Sequence, residues 1–295
     1  MTVKKAVIPA AGLGTRLLPA TKVQPKEMVP VVDKPAIQYI VEGAVRAGLT
    51  DILIITGRGK SVMEDHFDRA LELEQQLEAA GKTDELEQVR AVAELAEIFY
   101  VRQKEPLGFG HAVSLARNHV GDEAFAVMVP DEIIPEPRGA EKQFWPRMVD
   151  AHEKTGGSII AVHRLPREVI SSYGVIDPAG EMDEGLVKMA GMIEKPAADE
   201  APSDLAALGH YIFNPEIFDA LDRTTAGHGG EIQLTDGINL VARESNVHAL
   251  LHDDPVYDIG KKLDYVKGTI EMALRRDDLA KPLHDYLVEV VAREG

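Results

Sequence analysis

Short apolar runs alternate with amphipathic helical patterns along the first third of this chain. Residues 6–9 and 52–56 are continuous apolar stretches, whereas 37–47 carries apolar residues at helical spacing, and a helical pair follows over 61–96. Continuous apolar strands separated by helices are typical of β-α-β units. We therefore expect an α/β fold with a Rossmann-like, mixed but mostly parallel sheet flanked by helices.

The pattern changes in the rest of the chain. Further strands are predicted at residues 99–102, 125–129, 158–163, 174–176, 187–194 and 208–213. Between 164 and 202, turn residues and short strands replace long helices, which favours a small inserted, more antiparallel lobe for a second substrate. From 264 to 295 the pattern is helical again. We predict one domain over residues 1–295 that ends in these helices.

The amino-acid composition excludes several kinds of site and several classes of function. The chain has no cysteine, which excludes disulfides, thiolate metal sites and cysteine nucleophiles and leaves carboxylates, histidines and water, ligands that suit hard cations. A formal net charge of −17 argues against general nucleic-acid binding. Because neither a run of about 18 apolar residues nor a signal-peptide core occurs, we expect no membrane span and a cytoplasmic location.

A glycine-bearing loop with two cations follows the first strand. Gly12 and Gly14 lack the Cβ that keeps backbone N–H groups away from an anion, and Arg16 and Lys26 can neutralise phosphate oxygens. The dinucleotide fingerprint G-x-G-x-x-G fails here because position 17 is leucine. A tight strand-to-helix turn would explain the glycines alone, but the two cations favour a phosphate site.

A second glycine-rich segment, residues 57–61, resembles a Walker A loop after an apolar strand. That motif requires a glycine at position 54, where the chain has Ile54. We therefore do not assign this segment to phosphate binding.

Two aspartates follow short apolar runs. Asp131 lies just beyond a predicted strand, where ligands bind in open α/β sheets, and Asp258 occupies a similar place before Gly260. Such carboxylates can bind Mg²⁺ together with substrate phosphates, although a single one more often caps a helix or a turn. The second aspartate favours a metal site, and whether both bind metal is left open.

Two further segments carry candidate chemistry. Around Gly108, the glycines of residues 105–112 open a flat slot before a predicted helix. The side chain of Gln103 offers a hydrogen-bond donor and an acceptor to the edge of uracil or thymine. His111 fits a structural role better than a catalytic one. Glu194 and Lys195 end a strand before a proline. They are either a surface ion pair or, if the chain turns there, contacts to sugar hydroxyls and a phosphate.

Taken in order, eight motifs resemble those of the sugar-1-phosphate nucleotidyltransferases, in particular the bacterial uridylyltransferases, over residues 5 to about 275. They are G-L-G-T-R, P-K-E-M, P-L-G-x-G-H-A, P-D-E, Y-G-V-I, I-E-K-P, G-E-I-Q-L-T-D and Y-D-I-G-K-K-L. The resemblance implies a nucleotidyltransferase (GT-A-like) fold with Mg²⁺ as cofactor and a homodimer or homotetramer. The implied reaction joins UTP and glucose 1-phosphate to give UDP-glucose and pyrophosphate.

The resemblance also implies roles for individual residues. The nucleotide contacts would be Ala10, Ala11, Gly12, Gly14, Glu27, Gln103, Pro106 and Gly108. Arg16 and Lys26 would hold the triphosphate, and the inserted lobe would bind the sugar phosphate through Gly174, Glu194 and Lys195. Asp131 would be the main metal ligand, with Asp258 as a second. The expected catalytic residues are Arg16, Lys26, Asp131 and Lys195.

Two other function classes remain as alternatives. A nucleotide-sugar sensor without activity would have lost the two cations or Asp131, and the chain keeps all of them. A Rossmann oxidoreductase is disfavoured by Leu17 and by the absence of an obvious hydride-transfer group.

Overall fold

The computed structural model describes residues 3–136, 143–225, 227 and 230–294. Its strands are β1 (Lys5–Ala10), β2 (Pro30–Val31), β3 (Lys34–Pro35), β4 (Asp51–Thr56), β5 (Glu97–Arg102), β6 (Phe125–Met128), β7 (Glu132–Ile133), β8 (Ser158–Arg164), β9 (Gly174–Pro178), β10 (Leu186–Glu194), β11 (Leu205–Phe213), β12 (Val247–Leu251) and β13 (Tyr257–Asp258). Its helices are α1 (Ala36–Arg46), α2 (Val62–Phe67), α3 (Leu71–Ala79), α4 (Thr83–Ala93), α5 (Phe109–Ser114), α6 (Arg117–Val120), α7 (Phe144–Thr155), α8 (Arg167–Ile170), α9 (Glu216–Arg223), α10 (Leu234–Glu244), α11 (Lys262–Ala273) and α12 (Ala280–Glu294).

A mixed nine-stranded sheet runs through the molecule in the order β5-β4-β1-β6-β11-β8-β12-β10-β9. The first four strands are parallel, as predicted. Beyond β6 the pairing is antiparallel except between β8 and β12, so the prediction of a mostly parallel sheet holds only for the first half. Parallel neighbours need a long crossover, and between β8 and β11 the only helix is the single-turn α8.

Both faces of the central strands are buried. Val7 and Val127 face one apolar cluster, whereas Ile8 and Ile54 face the other, as the two-residue period of a strand requires. Because both faces of these strands are covered, their sequences are continuous apolar runs. The strands could therefore be predicted from the sequence. The strand β12 was not predicted, although it is central to the second half of the sheet.

The segment 164–202 contains α8, β9 and β10, and its two strands come last in the order of the main sheet, where β9 also pairs with β11. The predicted helices at the end of the chain are confirmed as α11 and α12. No residue of α12 up to Arg293 is fully buried, and its Tyr286 and Val291 are largely exposed. Within the described ranges, no helix is long and apolar enough to cross a membrane.

Several histidines are buried beside α7. The ring of Phe144 lies between those of His210 and His252, with centroid distances of 5.5 and 4.9 Å. Burial lowers the pKa of His210 to about 3 and that of His252 to about 4. Within the described part of the chain, neither ring nitrogen of His252 has a hydrogen-bond partner. The fold therefore holds both rings neutral at pH 7.

We expect acid to destabilise the fold through these histidines. In the unfolded chain a histidine takes up a proton near pH 6.5, whereas His252 in the fold resists it until about pH 4, so stability is lost as the pH falls through this interval. The melting temperature should fall as the pH is lowered from about 6.5 to about 4, and fall less in His252→Leu. An identical slope in the variant would contradict this assignment.

Candidate active site

The loop after β1 forms a cradle of backbone around the stem of Lys26. Gly14 has φ of +66°, and a Cβ on it would lie 3.1 Å from Cβ of Lys26. The hydroxyl of Thr21 donates to the carbonyl of Gly14 at 2.7 Å, which fixes the loop. The turn thus requires glycine, both for its conformation and for the close approach of Lys26.

Two carboxylates meet beside this cradle. Asp131 follows β6, and Asp258 lies in β13, which pairs with β7 so that Asp258 stands opposite Glu132. Arg16 joins the two aspartates, with Nη1 at 2.8 Å from Oδ2 of Asp258 and Nη2 at 3.4 Å from Oδ2 of Asp131. The ammonium of Lys26 donates to the same oxygen of Asp131 at 2.5 Å. Two cations therefore neutralise two carboxylates at the carboxyl ends of the parallel strands.

The donor set suits a hard divalent cation shared with a ligand. Mg²⁺ prefers oxygen donors and is usually held by one or two carboxylates together with phosphate oxygens and water. Asp131 and Asp258 supply two such carboxylates, and no group of three or more potential protein ligands occurs among the described residues. Burial and the charge of Asp131 raise the pKa of the neighbouring Glu132 to about 8.

The predicted flat slot forms on the other side of the cradle. Gly108 has φ of +104°, and a Cβ on it would lie 2.7 Å from the carbonyl oxygen of Ile232. Ile232 donates its N–H to the carbonyl of Leu107 at 2.8 Å, which fastens the turn. The amide of Gln103 donates to the carbonyl of Gly108 at 3.2 Å and to Nδ1 of His111 at 2.9 Å. His111 thus supports Gln103, in agreement with a structural role.

A cleft of about 440 Å³ connects the cradle, the slot and the aspartate, a size typical of small-ligand sites. Of the predicted residues it is lined by Ala11, Gly12, Gly14, Lys26, Gln103, Pro106, Gly108 and Asp131. Ala10 is completely buried under the cradle. Arg16 and Asp258 lie beside the cleft, where Arg16 contacts both Asp258 and Asp131.

Glu27 does not belong with these residues. Its side chain is 0% exposed, and the ammonium of Lys60 donates to its two oxygens at 2.9 and 2.8 Å. The carboxylate of Glu27 faces the interior, where it is paired, and does not line the cleft; the expectation that it contacts the nucleotide stays a prediction. The sequence could not show this, since Lys60 is distant along the chain.

The predicted sugar-phosphate residues lie together at the end of β10. Lys195 has φ of +48°, so the chain turns there, as the following proline suggested. Its ammonium is 3.4 Å from Oε1 of Glu194, whose Oε2 accepts from the hydroxyl of Thr235 at 2.8 Å. A Cβ on Gly174 would lie 3.2 Å from Oε2 of Glu194. The ion pair exists, but a left-handed lysine backbone is a strained conformation that clusters at functional sites.

Lys261 and Tyr173 connect this corner to the aspartates, and neither was selected from the sequence as a site residue. The ammonium of Lys261 donates to the hydroxyl of Tyr173 at 2.6 Å and lies 3.6 Å from Oδ2 of Asp258. The carbonyl of Tyr173 in turn accepts the N–H of Lys195 at 3.0 Å. Tyr173 therefore contacts Lys261 through its side chain and Lys195 through its backbone, which connects the two lysines by one residue.

Comparison with known proteins identifies the family of this chain. The family model described as nucleotidyl transferase matches residues 5–273. The chain belongs to the nucleotidyl transferase family.

Relatives of this nucleotidyltransferase share almost its whole length. It is 48% identical to the UTP–glucose-1-phosphate uridylyltransferase YngB of Bacillus subtilis, over 99% of this chain and 97% of the relative. Its structure is similar to that of a UTP-bound UGPase from Acinetobacter baumannii, with a TM-score of 0.90 and 38% identity over 97% of this chain and 99% of the other. A UDP-glucose pyrophosphorylase complexed with UDP-glucose gives a TM-score of 0.83 and 37% identity, over 93% and 100% of the two chains. The nucleotidyltransferase fold is thereby confirmed.

The slot of this nucleotidyltransferase depends on Gly108, which gives a testable prediction. Gly108→Ala adds a Cβ 2.7 Å from a backbone carbonyl at a positive φ, so we expect a loss of stability of about 1–3 kcal/mol, measured by urea unfolding. Gly121→Ala is the matched control, because Gly121 also has positive φ but nothing within 4 Å of the added Cβ. Equal losses in both variants would show that close packing at Gly108 is unimportant.

Proposed function

We propose that this nucleotidyltransferase joins UTP and glucose 1-phosphate to give UDP-glucose and pyrophosphate. The observation that carries the proposal is the cleft in which a basic glycine cradle meets Asp131 and its cationic partners. Relatives named UTP–glucose-1-phosphate uridylyltransferase match almost the full chain, which supports the choice of both substrates.

The chemistry requires positioning more than proton transfer. The phosphate oxygen of glucose 1-phosphate is already an anion; it attacks the α-phosphorus of UTP, a new P–O bond forms, and the bond to pyrophosphate breaks. The barrier lies in bringing two polyanions together, so orientation and charge neutralisation should dominate. Arg16 and Lys26 lie where they can hold the departing pyrophosphate.

Asp131 and Asp258 are the residues that would hold Mg²⁺. When bound, the ion offsets phosphate charge and fixes the relative orientation of the two substrates. The carboxylates pair with Arg16 and Lys26 in the protein alone. On binding, phosphates can take over these two cations, because an anionic oxygen offers them an equivalent partner.

The nucleoside would occupy the cradle and the slot. Backbone of Ala11 and Gly12 lines the cleft together with Pro106 and Gly108, and Gln103 stands at its inner wall to read the edge of the pyrimidine. On the other side, Lys195 would bind the sugar phosphate, and Glu194 would accept from sugar hydroxyls near Gly174. The segment 164–202 would thus act as the sugar-binding lobe of a single domain.

We further infer a homodimer or homotetramer in the cytoplasm. The helix α12 supports an assembly, since Leu283, Tyr286, Leu287, Val290 and Val291 recur at helical spacing and none of them is fully buried. Light scattering measures the assembly directly.

The reaction is tested by measuring pyrophosphate release with four nucleoside triphosphates and several sugar 1-phosphates. The highest kcat/KM is expected for UTP with glucose 1-phosphate. Binding of UTP without release from any pair would favour a nucleotide-sugar sensor, and binding of a nicotinamide cofactor would favour an oxidoreductase.

Asp131→Ala should remove nearly all activity while the protein stays folded, because this carboxylate serves a ligand site and not the apolar core. The measurement is kcat at saturating Mg²⁺, with circular dichroism as a check on folding. Asp122→Ala, at an exposed aspartate beyond α6, is the control and should keep normal turnover. Near-normal turnover in Asp131→Ala would show that Asp131 is not the main metal ligand.

Lys195→Ala distinguishes a substrate contact from a surface ion pair. A contact to the reacting phosphate should cost at least about 2–3 kcal/mol of transition-state stabilisation, measured as kcat/KM for glucose 1-phosphate. A surface pair should cost about 1 kcal/mol of stability or less and leave catalysis unchanged. The matched control is Lys154→Ala, which removes an exposed pair with Glu184 of similar length, 3.0 Å. Equal kcat/KM values for Lys195→Ala and Lys154→Ala would show that Lys195 forms only a surface ion pair.

A further inference from the structure

The glycine-rich segment after β4 ends in a lysine that is buried beneath the cradle. Lys60 is 7% exposed, and its ammonium donates to both oxygens of Glu27 and, at 2.5 Å, to the carbonyl of Ala10. An ammonium has three N–H donors, so the two partners account for its hydrogen-bonding capacity. Lys60 therefore does not reach a bound phosphate, unlike the lysine of a Walker A loop.

The two partners of Lys60 belong to separate pieces of the active site. Glu27 lies in the short helical turn Lys26–Met28, next to the lysine that lines the cleft. Ala10 is the last residue of β1, from which the cradle continues. Lys60 thus connects the helical turn that carries Lys26 to the loop whose backbone N–H groups form the cradle.

The backbone around Lys60 also packs tightly against the cradle. A Cβ on Gly57 would lie 2.9 Å from the carbonyl oxygen of Ala11. The segment 57–61 therefore packs directly against the cradle. Lys60 extends towards the cradle from this segment, which follows β4.

Stability alone does not explain an ion pair in this place. Desolvation lowers the pKa of Lys60 and raises that of Glu27, and each partner opposes the shift of the other. Replacing such a buried pair by apolar side chains of similar volume is often neutral or stabilising. What the pair supplies and an apolar pair lacks is a set of directional hydrogen bonds between fixed partners.

We propose that Lys60 is a positioning residue for the nucleotide: it sets the distance between Lys26 and the cradle, so that one triphosphate contacts both. This inference rests on the proposed function, in which those two groups hold UTP. Neither Lys60 nor Glu27 lines the cleft, and in this proposal both act through Lys26 and Ala10.

The test uses the double variant Glu27→Met/Lys60→Met in the full chain. Replacing both members of the pair by apolar side chains of similar length leaves no unpaired buried charge or amide, so the melting temperature should stay close to that of the unchanged protein. We expect kcat/KM for UTP to fall about 10- to 100-fold, as misplaced groups lose rate on this scale. The KM for glucose 1-phosphate should change less than about twofold, because its proposed contacts do not involve this pair.

The matched control is Glu74→Gln, at a buried carboxylate of α3 that pairs with Arg69, just before α3, and with Arg90 of α4, away from the cleft. It should lower the melting temperature and leave both KM values unchanged. If the double variant instead keeps its melting temperature together with normal UTP kinetics, Lys60 is merely structural and the inference is wrong. Equal increases in both KM values would also overturn it.

Calorimetric titration of UTP separates this inference from the proposed reaction. Weaker UTP binding by the double variant supports Lys60 as a positioning residue even if no sugar phosphate is turned over. Unchanged UTP affinity overturns the inference even if the unchanged protein makes UDP-glucose.

Discussion

The parallel pairing of β1 with β4 on one side and β6 on the other is the constraint on which the site depends. Parallel strands end at the same edge, so the cradle after β1, the lysine loop after β4 and Asp131 after β6 are brought together by backbone register alone. Their apolar side chains, buried on both faces, fix that register. The position of the chemistry thus follows from the packing of residues that take no part in it.

Charge balance then decides how these groups are held. The chain has a net charge of −17, yet its cleft must accept anions. It does so by concentrating cations locally, with Arg16 and Lys26 against Asp131 and Asp258 in the cleft and Lys60 against Glu27 beneath it. The pairs at the cleft are partly exposed, whereas the pair between Lys60 and Glu27 is buried. Burial, and not residue type, separates the two kinds of pair.

The antiparallel half of the sheet supplies the second side of the site. Its strand β10 ends at Glu194, next to Lys195, and Lys261 bridges from Asp258 to Tyr173 beside them. Each half of the sheet therefore brings one set of charged and polar side chains to the region of the aspartates.

The sequence by itself determined the elements and chemistry that are local in the chain. Continuous apolar runs identified the central strands, and ordered motifs identified the family and most of the cleft residues, because turns and glycines act over a few positions. It did not determine the direction of β11 or the existence of β12, whose pairing depends on distant strands. The place of Glu27 was likewise decided only by Lys60, 33 residues away along the chain. Burial and partnership of a charged group are properties of the packed chain, so only the tertiary structure could assign them.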